Sequence, residues 1–231
     1  MRIASAEGSR PCGVPIYYHR CPTCQFLFTI AFDRFSKDDF RCHIYNKQYA
    51  RIDPDCDLLR PRGNAGRLGR LFAETKPERL LDYGGGNGRL AELLRAAGFP
   101  RVETYDPFVP RFATKPTERF DCIVSIEMVE HSTDPVGTFA EMNDLLTEPG
   151  LILFSTLLQP NDLDRRGLSW WYVGPRNGPV SLYTKAALDA IGRRFGLTRH
   201  SFDNNHHAFY RVLPAFAESF IRADVTVEDS R

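Results

Sequence analysis

The segment SIEMVEH, residues 125–131, places two carboxylates and an imidazole close together in the chain. It follows FDCIV, an apolar run that is typical of a buried strand. If a helical turn begins near Ile126, the side chains of Glu127, Glu130 and His131 fall at positions i, i+3 and i+4 and share one face. Polar groups at the end of a buried strand need either hydrogen-bond partners or a chemical role.

Three interpretations of this segment remain open. Two carboxylates and an imidazole that converge could bind a divalent cation. Alternatively, His131 acts as a general base that Glu130 orients. The third interpretation is structural: Glu130 and His131 hydrogen-bond to neighbouring backbone groups, or help to position a cofactor, and join the strand end to the next helix.

A second chemically suggestive segment is LLDYGGGNG, residues 80–88, in which glycines alternate at Gly84, Gly86 and Gly88. Glycine permits positive φ and lets a ligand approach the backbone closely. Asp106 ends the next predicted strand about 20 residues further on, where an acid can bind both hydroxyls of a ribose. The spacing does not match G-x-G-x-x-G and no G-K-[ST] follows, so the sequence disfavours hydride transfer and a Walker-type phosphate site.

These residues must be positioned by strands that alternate with helices. Apolar runs predict strands at 79–83, 101–106, 119–126 and 150–156, and helical spacing predicts helices at 89–98, 134–146 and 184–196. LTRHSF and HAFYRVL flank DNNH, which predicts an antiparallel hairpin at a sheet edge. RPRGN at 60–64 is interpreted as a loop, and the last ten or so residues are polar and predicted to be frayed.

The alternation predicts an α/β fold with a Rossmann-like, doubly wound, mostly parallel sheet and a C-terminal antiparallel hairpin. Ligands of such sheets bind beyond the carboxyl ends of the strands. The glycine turn, Asp106 and SIEMVEH all follow strands directly, so we expect them to line one crevice.

The strand–DYGGGNG–helix arrangement, with an acid ending the next strand, resembles the class I S-adenosylmethionine-dependent methyltransferases over roughly residues 65–213. The resemblance implies that Asp106 binds the ribose of the cofactor and that Ile126 packs near its adenine and sulfonium. It implies further cofactor contacts, mainly with the methionine end, from Asp82, Gly84, Gly85, Gly86, Asn87, Gly88 and Glu127. About a dozen residues separate Asp106 from the strand at 119, so the third strand of the family is expected to be short or missing.

FDCIVSIEMVEHSTDP resembles, more narrowly, the ubiquinone-pathway O-methyltransferases and their small-molecule relatives, which carry E-x-x-E-H after the same strand. In those relatives the triad is associated with a metal, which could bind a catechol-type substrate and lower the pKa of its hydroxyl. The resemblance thus supports Glu130 and His131 as catalytic candidates.

Residues 1–57 differ in composition from residues 58–231, which are expected to form the methyltransferase domain. Five of the six cysteines lie in this first segment, and IYYHRCPTCQFLFT predicts two short strands around a C-P-T-C turn. Cys21 and Cys24 supply half of a tetrahedral zinc site. The candidates for the other half are Cys12, His19, Cys42 and His43, of which Cys12 and Cys42 would give a four-cysteine site. The alternative is a small β-rich module with buried thiols.

Two segments are candidates for substrate contacts. Tyr45 and Tyr49 are spaced i, i+4 and could close over the site and exclude water, or simply pack on a helix. Residues 157–184 are long for a loop and could form a lid. Their candidate residues are aromatic surfaces and hydrogen-bond donors, although one Trp could be core and PRNG a turn: Trp170, Trp171, Tyr172, Arg176 and Asn177.

Composition limits the function further. The net charge is +1, which gives no strong basic field for nucleic acid or anionic lipid. The N-terminus lacks the apolar region of a signal peptide and no stretch has the length of a membrane span, so a cytoplasmic location with reduced thiols is expected.

The sequence therefore predicts methyl transfer from S-adenosylmethionine to an oxygen or carbon of a small molecule or a glycan or lipid precursor. One alternative is an RNA methyltransferase whose cysteine module binds nucleic acid. Another is a non-catalytic protein that binds S-adenosylmethionine, because a fold does not fix a function.

Overall fold

The computed structural model describes residues 15–46, 49, 53–55, 57–174 and 178–228. A six-stranded sheet forms its centre, with strands β3 to β6, β8 and β9. Their bounds are β3 Arg79–Tyr83, β4 Arg101–Tyr105, β5 Phe120–Ile126, β6 Leu146–Ser155, β8 Thr198–Ser201 and β9 His206–Tyr210. The order across the sheet is β4-β3-β5-β6-β9-β8. The first four strands run parallel, and β9 and β8 are antiparallel, which confirms the predicted sheet and its hairpin.

Seven α-helices accompany the strands in the described residues. Their bounds are α1 Lys37–His43, α2 Leu59–Leu71, α3 Arg89–Ala96, α4 Pro135–Asp144, α5 Leu163–Arg166, α6 Lys185–Phe195 and α7 Ala215–Glu228. Helix α4 begins as predicted: the Asp134 side chain accepts a hydrogen bond from the Gly137 backbone N–H, and Pro135 occupies the first helical position. Helix α6 begins in the same way at Thr184 and ends at Gly196 in the left-handed conformation.

Alternate residues of each central strand pack into two hydrophobic cores, one on each face of the sheet. Leu81, Ile123 and Ile152 pack with α4 and α6. Leu80 and Val124 pack on the other face with α2, α3 and α7. Burying a side chain of this size stabilises the fold by roughly 1.5–3 kcal/mol, so the two-residue period of each strand fixes which face of the sheet it presents.

The connection from β4 to β5 is unusually short. Residues 107–119, all of them described, contain a 3-10 helix at Pro110–Phe112 and no strand. The expectation that the third family strand is missing is therefore confirmed, and β4 forms the edge of the sheet.

A second, three-stranded sheet joins the N-terminal segment to a distant part of the chain. The predicted ribbon around C-P-T-C forms strands β1 His19–Arg20 and β2 Leu27–Phe28. Strand β2 then pairs antiparallel with β7, Ser181–Leu182. The Tyr18 hydroxyl also donates a hydrogen bond to the Pro179 carbonyl at 3.0 Å. The division of the chain into two domains, residues 1–57 and 58–231, stays a prediction.

Two expectations about local structure are wrong. RPRGN lies inside α2 rather than in a loop. Pro61 is compatible with a helix there because it sits in the first turn, where backbone N–H groups have no intrahelical acceptor. The C-terminal segment continues as α7 as far as Glu228, and Ala217 and Ile221 of this helix are buried in the second core; residues 229–231 lie outside the described residues. Within the described residues, no helix combines the length and the apolar character that crossing a membrane requires.

Candidate active site

A cavity of about 910 Å³ opens at the carboxyl ends of β3, β4 and β5. The structure brings most of the predicted cofactor residues and both tyrosines to its wall. These predicted lining residues are Tyr45, Tyr49, Asp82, Gly84, Gly85, Gly86, Asn87, Asp106, Ile126, Glu127 and His131. Gly88 does not line the cavity; a side chain there would meet the Phe112 ring at 2.7 Å.

The glycine turn is folded as its sequence requires. Gly84 and Gly86 have φ of 73° and 55°, in the left-handed region that favours glycine. A Cβ atom at Gly84 would lie 2.3 Å from Cγ of Met128, whereas one at Gly86 would point into open space. The turn therefore leaves the backbone of Gly86 accessible to a ligand in the cavity.

Asp106 is held against this turn by backbone hydrogen bonds. Its Oδ2 accepts from the Gly86 N–H at 2.9 Å, and its Oδ1 accepts from the Phe108 N–H at 2.8 Å. Burial raises the pKa of this carboxyl, and these backbone donors oppose the shift. Each oxygen keeps a further lone pair, so a sugar hydroxyl can still donate to it.

Asp82 is the more deeply buried of the two acids. It is 2% exposed, and its Oδ2 has no hydrogen-bond partner among the described residues. Burial, and then the negative charge of Asp106, raise its pKa to about 7. A cation placed beside these two carboxylates would relieve both effects.

Glu127 occupies a strained backbone position directly after β5. Its φ is 50°, which is unusual for a residue with a side chain, and its backbone N–H donates to Oγ of Ser155 at 2.8 Å. Its carboxylate pairs with the guanidinium of Arg60, which also pairs with Asp53. Burial raises the pKa of Glu127, and Arg60 opposes that shift.

Glu130 and His131 lie in a 3-10 helix, Val129–His131, and Glu127 and His131 line the cavity whereas Glu130 does not, so the expected shared face of all three side chains does not form. The left-handed turn at Glu127 interrupts the helical spacing on which that expectation depended. Glu130 is absent from the cavity lining and is 1% exposed. The hydroxyl of Tyr172 donates a hydrogen bond to its Oε1 at 2.7 Å. Nε2 of His131 is 4.0 Å from the same Oε1, which is too far for a hydrogen bond.

Burial also sets the charge of this pair. It raises the pKa of Glu130 to about 8. It lowers the pKa of His131 to about 4, and the positive charge of Arg60 adds to that effect. Near neutral pH the imidazole that lines the cavity is therefore uncharged, and its lowered pKa makes it a weaker base than an exposed histidine.

The predicted metal sites are not supported by the residues that the structure describes. These residues contain no group of three or more His, Cys, Asp or Glu side chains that could hold a metal ion. Cys21 and Cys24 adjoin in the turn between β1 and β2, where the Gln25 N–H donates to the Cys21 carbonyl. Cys42 is exposed on α1, and Cys12 lies outside the described residues.

The aromatic residues of segment 157–184 that were predicted to contact substrate, Trp170, Trp171 and Tyr172, do not line the cavity. Trp170 is 4% exposed and packs in a cluster with Leu27 and Leu182, so it is a core residue. Trp171 is exposed at the surface, and the Tyr172 hydroxyl is committed to Glu130. Their chain segment packs against the N-terminal ribbon rather than over the site. Arg176 and Asn177 lie outside the described residues.

Other lining residues were not expected from the sequence. They include two cations, two acids, an aromatic ring and a methionine: Arg60, Arg111, Asp53, Asp57, Phe108 and Met128. Phe108 could have been suspected because it follows Asp106 by two residues. No pattern in the sequence indicated Arg60 as a lining residue, because its segment was interpreted as a loop.

A family model described as a methyltransferase domain matches residues 58–201. The chain is 28% identical over 117 residues to a ubiquinone biosynthesis O-methyltransferase of Aromatoleum aromaticum. That alignment covers 41% of this chain and 47% of the relative, so the chain matches about half the length of that protein.

Two solved structures from Burkholderia thailandensis share the fold. An O-methyltransferase family protein aligns with a TM-score of 0.54 at 15% identity, covering 78% of this chain and 64% of that one. A 1,6-didemethyltoxoflavin-N1-methyltransferase, solved with its substrate and S-adenosylhomocysteine, aligns with a TM-score of 0.53 at 16% identity. It covers 84% of this chain and 96% of that chain, and both likenesses concern the fold.

Proposed function

The chain belongs to the methyltransferase-domain family, and on that premise we propose that it transfers a methyl group from S-adenosylmethionine to a small molecule. The acceptor atom is an oxygen or a carbon, and the acceptor can be a glycan or lipid precursor. The observation that carries the proposal is the joint position of Asp82, Asp106 and the left-handed turn at Gly84 and Gly86 on one cavity wall.

The residues of this wall fit both ends of the cofactor. Asp106 is fixed by two backbone N–H groups and can accept from the two ribose hydroxyls. Asp82, with a buried oxygen that lacks a partner among the described residues, suits the ammonium group of the methionine end. When bound, the cofactor supplies an electrophilic methyl group on a sulfonium.

The protein's own contribution is alignment, exclusion of water and removal of a proton. His131 is the candidate base because it lines the cavity as a neutral imidazole. Glu130 does not reach the cavity, so we assign it as a positioning residue and not as a catalytic one. Tyr45 and Tyr49 contribute apolar surface that keeps water from the reacting groups.

The charge of the cavity favours a small neutral or cationic acceptor over RNA. Among the described lining residues, the carboxylates outnumber the guanidinium groups of Arg60 and Arg111. The carboxylates are those of Asp53, Asp57, Asp82, Asp106, Glu127 and Asp134. A polyanionic acceptor would be repelled by this surface. A cytoplasmic location stays a prediction.

The test is calorimetric titration of the full chain with S-adenosylhomocysteine. We expect one site on the wild type and a loss of affinity of roughly 10-fold or more for Asp106→Asn, which removes a charged acceptor for ribose hydroxyls. Asp144→Asn changes an exposed acid at the end of α4 and is the matched control. No binding to the wild type, or equal binding to Asp106→Asn, would refute the assignment.

A further inference from the structure

Part of the cavity wall comes from residues that precede the methyltransferase-domain match at residue 58. Helix α1 lies beside the loop that follows Asp106 and brings Phe40 to the cavity. This inference rests on the proposed function. We propose that α1 and Tyr45 build the nucleobase subsite, with Arg41 as the residue that positions Phe108 in it.

Arg41 fastens α1 to this loop through two backbone carbonyls. Its Nε donates to the Phe108 carbonyl at 2.9 Å, and its Nη2 donates to the Pro107 carbonyl at 3.3 Å. Its Nη1 donates to Asp38 of the same helix at 2.9 Å, which fixes the direction of the side chain. The planar guanidinium can make these contacts together because its donors point along a fixed fork.

Phe108 is consequently held from both sides. Its N–H donates to the carboxylate of Asp106, and its carbonyl accepts from Arg41. Asp106 is the acid assigned to the ribose, so the base attached to that ribose must lie near this loop. Phe108 is two residues from Asp106, and both line the same cavity.

Phe108 belongs to an aromatic wall shared with the N-terminal segment. Its ring centroid is 5.3 Å from that of Tyr45 and 5.5 Å from that of Phe40. Burial raises the pKa of Tyr45 far above its ordinary value, so its ring stays uncharged. Flat, uncharged rings are the surface on which a purine base stacks.

The short connection after β4 explains why the N-terminal segment takes this role. Residues 107–119 contain a 3-10 helix at Pro110–Phe112 and no strand, so β4 remains the edge of the sheet. Helix α1 packs against this loop instead, and its residues Phe40 and Arg41 contact Phe108 directly.

The test compares two ligands of the full chain by calorimetry. S-Adenosylhomocysteine carries the base, and S-ribosylhomocysteine has the same sugar and amino acid without it. We expect Phe108→Leu and Arg41→Gln each to weaken S-adenosylhomocysteine binding on the order of 10-fold, and to change S-ribosylhomocysteine binding by less than about 2-fold. Arg34→Gln replaces an exposed cation of the same segment and should change neither ligand.

The two ligands separate the possible failures. Equal losses for both ligands would mean that the variants distort the loop as a whole, which overturns the subsite. Unchanged S-adenosylhomocysteine binding to Phe108→Leu overturns it as well, while leaving the proposed function intact. A wild type that binds neither ligand refutes the proposed function itself. If circular dichroism shows that Arg41→Gln does not fold, Phe108→Leu and Tyr45→Leu carry the test.

Discussion

Burial fixes the protonation of two neighbouring side chains with different roles. Glu130 lies behind the cavity wall with a hydrogen bond from Tyr172, and its pKa is raised to about 8. His131 lines the cavity, and its pKa is lowered to about 4. Both groups are therefore uncharged near neutral pH, so an imidazole without a formal charge lines the cavity while a protonated carboxyl lies buried next to it in the chain.

This assignment predicts how Glu130 affects stability as pH changes. An exposed glutamate ionises near pH 4.3 in an unfolded chain, whereas Glu130 keeps its proton in the folded protein up to about pH 8. Between these values the folded state binds more protons, so raising the pH destabilises it. The wild type should lose stability relative to Glu130→Gln, which cannot ionise, by at most about 1.4 kcal/mol per pH unit.

Chemical denaturation of both proteins at pH 5, 6, 7 and 8 measures this difference. Glu118→Gln, at an exposed carboxylate, is the control and should follow the wild type. Parallel stability curves for the wild type and Glu130→Gln would show that Glu130 is ionised in the folded protein, contrary to the assignment.

The turn between β3 and α3 is the element on which the cofactor proposal depends. Its left-handed glycines differ in their surroundings. Gly84 packs against Met128, and Gly86 faces open space. In this turn, packing against Met128 leaves no room for a side chain at Gly84, whereas the space at Gly86 is open to a ligand.

Alanine substitutions should separate these two roles. Gly86→Ala should cost about 1–2 kcal/mol of stability from left-handed strain alone. Gly84→Ala should cost about 1–3 kcal/mol more, because its Cβ would lie 2.3 Å from Cγ of Met128. Thermal denaturation measures both, and Gly84→Ala combined with Met128→Ala should recover part of the additional loss. Equal losses for the two single variants would contradict this account of the turn.

At the scale of the whole molecule, the N-terminal segment is joined to the rest by a sheet and a shared core. Leu27 of β2 pairs with Leu182 of β7 and packs in the cluster that contains Trp170. Thr184, at the start of α6, also donates a hydrogen bond to the Cys24 carbonyl at 2.6 Å. These contacts link residues about 160 positions apart, so we expect the two parts to unfold together.

Leu27→Ala tests that expectation. Removing a buried leucine side chain should cost roughly 2–5 kcal/mol, and the loss should appear equally in tryptophan fluorescence and in far-ultraviolet circular dichroism. Trp170 reports on the shared cluster, whereas circular dichroism reports on the central sheet and its helices. Ile30→Ala, at an exposed position, should change stability by less than about 0.5 kcal/mol. A transition that shifts only in fluorescence would show that the N-terminal segment unfolds separately.

The sequence by itself determined the central sheet, the glycine turn and the starts of α4 and α6. Leu80 and Leu81 alternate between two cores because a strand has a period of two. Asp134 caps α4 because its partner, Gly137, is three residues away. Such features depend on neighbours in the chain, so their residue types are sufficient to predict them.

The tertiary structure alone decided which side chains meet in the cavity. Arg60 pairs with Glu127, which lies 67 positions away, and Arg41 binds the Phe108 carbonyl at a separation of 67 positions as well. Trp170 became a core residue because β2 and β7 pair beside it. The direction of a side chain at the end of a strand depends on such distant packing, and no local pattern in the sequence encodes it.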